Sequence, residues 1–308
     1  MLLGSHRMVG MGGAYVAVAE GIEGYPANLA VLAHRRTTQK DNFDFSLTFG
    51  ILDLLPIHPE ERDLDNDGHP DGAFSNQLQA GMLVQYSRYG VGGFLRTLHQ
   101  NYCIDDACTG TVDMTLTTAS GGFAVALGRD DVIAGLGLYT ASAFLFHEGQ
   151  LNAFHGTGGQ FDLLIRPEGM PFRVGASFKP AVHATFLGDQ NNPPFVAQRA
   201  TIREFVAPSV VSVGVSFKSG EGANTYNRLS PAALHEIRLK YGVERSPPEI
   251  PEDAPSGRVL ISTQLDIIGE VGGALPTAYF GRQIYAGVPV VATKTMFQPR
   301  VGAEIEAV

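Results

Sequence analysis

The sequence predicts an all-β fold: an antiparallel transmembrane β-barrel preceded by a short irregular N-terminal segment. Three observations carry that expectation. Many segments alternate apolar with polar or glycine residues, the period-2 mark of a strand with two unlike faces. Charged residues are 17% of the chain and glycines 37 of 308, against roughly 25% and ~7% in ordinary soluble domains. No apolar run approaches the ~18 residues that a membrane helix needs. A membrane protein of this composition spans with strands, of which only alternate residues meet lipid.

Residues 1–40 stand apart from the strand pattern, because 8–33 is too Ala-rich and irregular for a strand. The barrel follows over 41–308. Phe43-Asp44-Phe45-Ser46-Leu47-Thr48-Phe49-Gly50-Ile51 is its first strand, and Leu52-Asp53 breaks the alternation and predicts its end. Phe172–Lys179 and Val211–Lys218 repeat the pattern. Arg258–Ile268 sets Val259, Ile261, Thr263, Leu265 and Ile267 on one face against Ser262, Gln264 and Asp266. Weaker strands are expected over 78–88, 90–99, 111–128, 132–146, 158–166 and 288–306, about ten in all. Ser230-Pro231 followed by good helix formers predicts a helical insertion near 230–242, with the Pro-rich 246–255 as a stiff linker.

Alternation alone does not separate a barrel from a soluble sandwich, which turns its apolar face inward. Length and connections favour the barrel. Several strands exceed the usual ~5–6 residues and approach the ~9–11 of a tilted spanning strand. Tight turns near 87–90, 128–131 and 167–170 alternate with longer loops at 54–76, 100–110, 147–157, 185–199 and 271–284, as in outer-membrane barrels. The expected lipid-facing band contains Phe43, Phe45, Phe49, Phe172, Phe178, Val213, Val215 and Phe217.

A net charge of −9 without basic clusters excludes a nucleic-acid surface. Cys103 and Cys108 are close enough in sequence for a small-loop disulfide in an oxidising compartment; two free thiols are the equal alternative. The start, Met1-Leu2-Leu3-Gly4-Ser5-His6-Arg7, has no secretory signal character, and the chain is read as a fragment.

The sharpest chemical motif is Asp63-Leu64-Asp65-Asn66-Asp67-Gly68-His69-Pro70-Asp71. Asp63, Asp65, Asp67 and Asp71, with the His69 carbonyl, match most of a calcium loop, and Gly68 permits its turn. Phe74 stands where the bidentate Glu of a helix-loop-helix hand would be, so the motif is closer to an Asp-rich extracellular repeat. Ca2+ is the expected cofactor; a solvated acidic loop is the alternative. Gly10-Met11-Gly12-Gly13 is no dinucleotide fingerprint, since Tyr15 replaces the third glycine and no strand precedes it. No hydrolase, metalloprotease or phosphate-loop pattern occurs, and no enzyme is expected. Asp162, Arg166, Arg173 and Lys179 share polar strand faces, either as a ladder lining a lumen or as the ordinary wet side of a sheet.

Gly10-Met11-Gly12-Gly13-Ala14 and Tyr25-Pro26-Ala27-Asn28 resemble the plug of FadL-type outer-membrane transporters, whose relatives read Gly-Met-Gly-Gly-Ala and Asn-Pro-Ala-Gly. Here Tyr25 and Asn28 depart from that pattern. Phe297–Glu304 resembles a late strand of such barrels. The resemblance makes residues 1–40 a plug segment, with Gly10, Gly12, Gly13, Pro26, Ala27 and Asn28 as its plug residues. It implies about fourteen strands, the last few missing at the C-terminus, in the outer membrane of a Gram-negative bacterium. It also implies passage of hydrophobic small molecules, such as long-chain fatty acids, through a plugged barrel. The expected partners are that ligand and outer-membrane lipid. The alternatives are a non-transporting barrel acting as scaffold or secretion accessory, and a soluble all-β domain with calcium support.

Overall fold

The computed structural model describes residues 6–35, 37, 39–54, 74–103, 111–147, 150–188, 204–220, 223–242, 258–270, 275–276 and 294–306. The chain is mostly β, a large antiparallel sheet of about twelve strands, or thirteen with the two-residue Leu275–Pro276. In order these are β1 Phe43–Leu54, β2 Phe74–Tyr86, β3 Tyr89–Cys103, β4 Thr111–Leu127, β5 Val132–His147, β6 Gln150–Ile165 and β7 Phe172–Lys179. Then come β8 Val182–Phe186, β9 Glu204–Ala207, β10 Val210–Ser219, β11 Arg258–Ile268, β12 Leu275–Pro276 and β13 Met296–Glu306. The ladder runs β1-β2-β3-β4-β5-β6-β7-β10-β11-β13, while β8 and β9 branch from β6 and β12 joins β9 in parallel. Among the described residues no ladder joins β1 to β13.

The expected strands are present, with boundaries moved for identifiable reasons. β1 runs on through Asp53 to Leu54, opposite Ser75. Backbone ladder bonds hold an antiparallel strand whatever its side chains are, so broken alternation does not end it. The expected loop at 147–157 is largely strand, because β6 begins at Gln150 and pairs residue by residue with β5. Gly156, Gly158 and Gly159 conceal its alternation by removing side chains from it. β13 begins at Met296 rather than 288, and β8, β9 and β12 are too short to show a period. Ser87-Arg88 and Gly128–Asp131 make tight turns, with positive φ at Ser87, Gly128 and Asp130.

The inserted helix, α2, spans Pro231–Tyr241 inside the expected 230–242. Ser230 Oγ accepts from the Ala233 N–H at 3.1 Å, Pro231 opens the first turn, and Gly242 closes the end at φ 66°. Both ends therefore carry the caps that satisfy otherwise unpaired backbone groups. Apart from α2, helical structure among the described residues is confined to short pieces, α1 His6–Gly10 and 3-10 turns. Among the described residues no helix is long and apolar enough to cross a membrane.

The two faces of the sheet are unlike. Phe43, Phe45, Leu47, Phe49 and Ile51 of β1 all point out, Phe49 with 68% of its surface exposed. The pattern continues through Leu136 and Leu138 of β5, Phe161 of β6, Val213, Val215 and Phe217 of β10 and Ile305 of β13. Of the eight residues expected in this band only Phe172 is half-buried rather than exposed. No second sheet covers this face among the described residues.

The opposite face is buried by residues 11–35. Ala14–Ala19 and Leu29–Ala33 are sealed from solvent, and the main hydrophobic cluster lies between them and the sheet. Within this segment α1 meets β13, the turn Ile22–Gly24 meets β1 and β2, and the turn Leu29–Ala33 meets strands from β2 to β6. A short segment touching the first and last strands of the ladder requires the sheet to curve around it.

The wall is interrupted beside β6. Residues 161–165 of β6 pair with β7 and 154–155 with β8, leaving 156–160 without a ladder on that side among the described residues. The chain leaves the sheet at Pro180, which has no N–H to give a ladder. The Tyr139 hydroxyl donates to its carbonyl at 2.8 Å. Val182 then packs over the inner face at Gly156 and Gly158.

Candidate functional site

The inner face grips the N-terminal segment largely through its backbone. Gly175 of β7 lies under the Val16 carbonyl, and Gly90 of β3 under that of Leu32; a Cβ at either position would collide with these groups. Much of the glycine excess is thus spent on close approach between sheet and plug. Gln264 Oε1 of β11 accepts from the N–H groups of both Tyr15 and Val16 at 2.9 Å. Asp162 Oδ2 of β6 accepts from the Leu29 N–H at 2.5 Å and from Gln160 Nε2 at 2.6 Å. These bonds satisfy backbone donors that burial would otherwise leave costly.

The plug residues expected from sequence divide by role. Asn28 is central: Oδ1 accepts from the Ala30 N–H at 2.9 Å, and Nδ2 donates to the carbonyls of Val16 at 2.9 Å and Leu163 at 3.1 Å. Pro26 offers its carbonyl to Lys179 Nζ at 2.9 Å, and Ala27 packs half-buried against the core. Gly12 and Gly13 have positive φ, and Gly12 faces the Val301 carbonyl of β13. Gly10 ends α1 in the open, where a Cβ would meet nothing.

Arg173, Arg166, Asp162 and Lys179 line the inner face, and the plug covers them. Their surroundings are not the wet side of a sheet. Arg173 Nη1 donates to Glu20 Oε1 at 2.6 Å, Nε to Asn227 Oδ1 at 2.8 Å and Nη2 to the Tyr226 carbonyl at 2.7 Å. Its guanidinium also lies 3.9 Å from the Tyr226 ring centre. Glu20 Oε2 takes Arg7, which also holds Glu304 of β13 at 2.8 Å. Arg35 joins the segment to Glu236 of α2 at 2.6 Å and to Asp130 at 3.3 Å. Burial alone would raise the Glu20 carboxyl; Arg173 foremost, with Arg7, reverses this and holds it well below the usual carboxylate range. His34 is held well below its ordinary value by burial, and then by the charges of Arg166 and Arg173.

Between plug and sheet lies a cavity of about 340 Å³. Met8, Pro26, Phe94, Tyr139 and Val210 give it apolar walls, and Arg96, Lys179 and Arg300 give it three cations. Arg300 is neutralised by Asp266 at 2.6 Å. Lys179 faces the neutral Pro26 carbonyl. Arg96 of β3 meets no carboxylate among the described residues, and burial lies over it without a compensating charge. An apolar chamber with an unspent guanidinium suits an amphiphile with an anionic head. A second cavity of about 330 Å³ separates Glu20, Glu23, His34 and Arg35 from β1.

Sequence reading missed Arg96, Gln264, Glu20 and Asn227 as contributors. For Arg96 a signal existed, since period 2 from Gly90 places it on the inner face with Gly92 and Phe94. The acidic loop Asp63, Asp65, Asp67, His69, Asp71 lies outside the described residues. So does Cys108, and β3 places only the backbone of Cys103. No family model, curated protein or solved structure matches the chain.

Proposed function

We propose that the sheet closes into an outer-membrane barrel that passes hydrophobic small molecules with an acidic head, long-chain fatty acids being the type. The single observation that carries this reading is the inverted distribution of polarity. Large apolar side chains stand on the open face of every long strand, while Gly, Ser, Asp and Arg lie inside against a plug. A water-soluble sheet of this size buries its apolar face; a bilayer makes the opposite arrangement favourable. Closure removes the open edges of β1 and β13, which hydrocarbon does not tolerate.

The plug leaves no space at Ala14–Ala19, so passage goes beside it. The cavity at Arg96 holds the head group, and the interrupted wall at 156–160 of β6 adjoins it through Gln160, Tyr139 and Lys179. The test is uptake of radiolabelled dodecanoate into vesicles carrying the full chain. Uptake is expected, and Arg96→Leu is expected to depress it. Absence of binding and uptake in a protein that has inserted would overturn the reading.

The tightness of the plug favours a second reading, a non-transporting scaffold or secretion accessory. It predicts insertion and stoichiometric partner capture with no dodecanoate bound.

A further inference from the structure

We infer that β1–β6 carry a headgroup belt: a line of polar residues that meets phospholipid headgroups and leaves the strand ends beyond it outside the bilayer. This rests on the proposed lipid-facing band and goes beyond it by fixing where that band stops.

The belt emerges on counting along the strands from their tight-turn ends, Phe43, Tyr86, Tyr89, Leu127, Val132 and Ile165. Taken every second residue from there, the first four positions hold only apolar residues, tyrosine or glycine in all six strands. Ten residues on, the strands read Asp53, Asn76, His99, Thr117, Ser142 and His155. Every one is polar, although alternate strands run in opposite directions. They are also neighbours in the ladder. Asp53 pairs with Asn76 and Asn76 with His99, while Thr117 pairs with Ser142 and Ser142 with His155. His99 Nδ1 lies 2.9 Å from Thr115 Oγ1, and His155 Nδ1 lies 2.9 Å from Ser142 Oγ.

Ten residues at ~3.3 Å each, tilted by about 40°, rise roughly 25 Å, the height of the apolar band of an outer-membrane barrel. Water around the sheet gives no reason for apolar positions to stop at one height; a hydrocarbon edge does. β7, β10, β11 and β13 have 8, 10, 11 and 11 residues and span no more than this height. β3–β6 have 15 to 17 and continue past it.

The occupant is the headgroup layer, by continuity. Lipids whose chains cover Leu136 and Leu138 present ester and phosphate oxygens at Ser142, and hydroxyl and imidazole groups donate to such oxygens. No Lys or Arg stands at the six positions, which suits net-neutral headgroups. Phe146 and Leu151 separate this arrangement from a taller lipid band. They are outward, exposed and paired across β5 and β6, yet they lie past the belt, outside hydrocarbon.

The experiment uses the full chain with Cys103→Ser and Cys108→Ser in phosphatidylcholine vesicles. Nitroxide labels are attached at Leu136→Cys, Thr117→Cys, Ser142→Cys or Phe146→Cys, one at a time. Collision with dissolved oxygen, which concentrates in hydrocarbon, is compared with collision with a water-soluble nickel chelate. Oxygen is expected to dominate at Leu136, the two to be comparable at Thr117 and Ser142, and nickel to dominate at Phe146. A second measurement makes the belt apolar with Thr117→Val, Ser142→Val and His155→Leu together. Best folding yield should then shift to bilayers thicker by roughly 5 Å, the rise of two strand residues. Oxygen dominance at Phe146, or no shift in the triple variant, would overturn the belt and leave the lipid-facing band standing. A Ser142 label shielded from both reagents would do the same, by showing a protein partner or second copy there. Nickel dominance at Leu136 overturns band and belt together.

Discussion

Arg173 of β7 and Glu20 of the N-terminal segment pair at 2.6 Å across 153 residues of sequence. The guanidinium is 1% exposed and the carboxylate 39%. The contact thus joins a buried cation to a partly wet anion, and its strength lies mainly on the arginine side, where Asn227 and the Tyr226 carbonyl also accept. Arg173→Met leaves those acceptors unmatched but retains Arg7 beside Glu20. We expect a loss of about 2 kcal/mol, below the ~3–5 of a fully buried broken pair because water screens Glu20. Urea unfolding of the reconstituted protein measures it. A stability equal to wild type would show that the pair is not holding the plug.

Gly175 tests the backbone grip. A side chain at this position meets the Val16 carbonyl, in the most deeply buried stretch of the plug. Gly175→Val is expected to cost about 1–3 kcal/mol by overpacking and to expose residues 6–42 to protease. Gly159 is the control. It also lies mid-strand, but a Cβ there meets nothing closer than Phe161 at 3.7 Å, so Gly159→Ala should leave the cleavage pattern unchanged. Equal protection in both variants would contradict close approach as the reason for glycine at 175.

How much of this was legible depends on what each residue's neighbour is. Strands with a large residue on every second position, such as Phe172–Lys179 and Arg258–Ile268, were readable to the residue, because the period reports two unlike surroundings. Gly156, Gly158 and Gly159 erased that period in β6: the first two serve an inner surface met by Val182 and His183, and Gly159 stands on the outer face opposite Leu138. The helix was legible through Ser230, Pro231 and the formers behind them, all local signals. The plug's start was legible as irregular, but its anchors were not. Gln264 and Asp162 look like any polar residue on a strand until Tyr15 and Leu29 are brought against them. Whether β1 and β13 are joined has no local signature at all.

Acid should loosen the plug in two stages. His34 is buried against Arg166 and Arg173, with Glu20 and the Ala19 backbone as the favourable neighbours. Its folded value is depressed, so below about 6.5 the unfolded chain binds a proton that the folded chain refuses, and stability falls as pH drops. Glu20, also depressed, contributes stability above its ordinary carboxylate value of 4.5, and that contribution is lost as pH falls further. Protease protection of residues 6–42 should be level above pH 7, decline from 6.5 towards 5, and fall again below 4.5. His34→Gln should abolish the first decline and keep the second. Identical profiles for wild type and variant would rule out His34 as its origin.

Leu138 offers the most direct trial of the outward face. It is 64% exposed, and its cross-strand neighbours are Gly121 on β4 and Gly159 on β6. No adjacent side chain shields it, so whatever solvent surrounds the sheet meets it directly. In water Leu138→Arg exchanges an exposed apolar group for a charged one and should be neutral or mildly favourable. In a bilayer the same change costs about 2–4 kcal/mol near the midplane, and Leu138→Phe costs little. Folding yield of the three proteins into phosphatidylcholine vesicles separates the cases. A strong defect confined to arginine is expected. Equal yields for all three would place Leu138 in contact with water or protein, and the outward band would then need another partner than lipid.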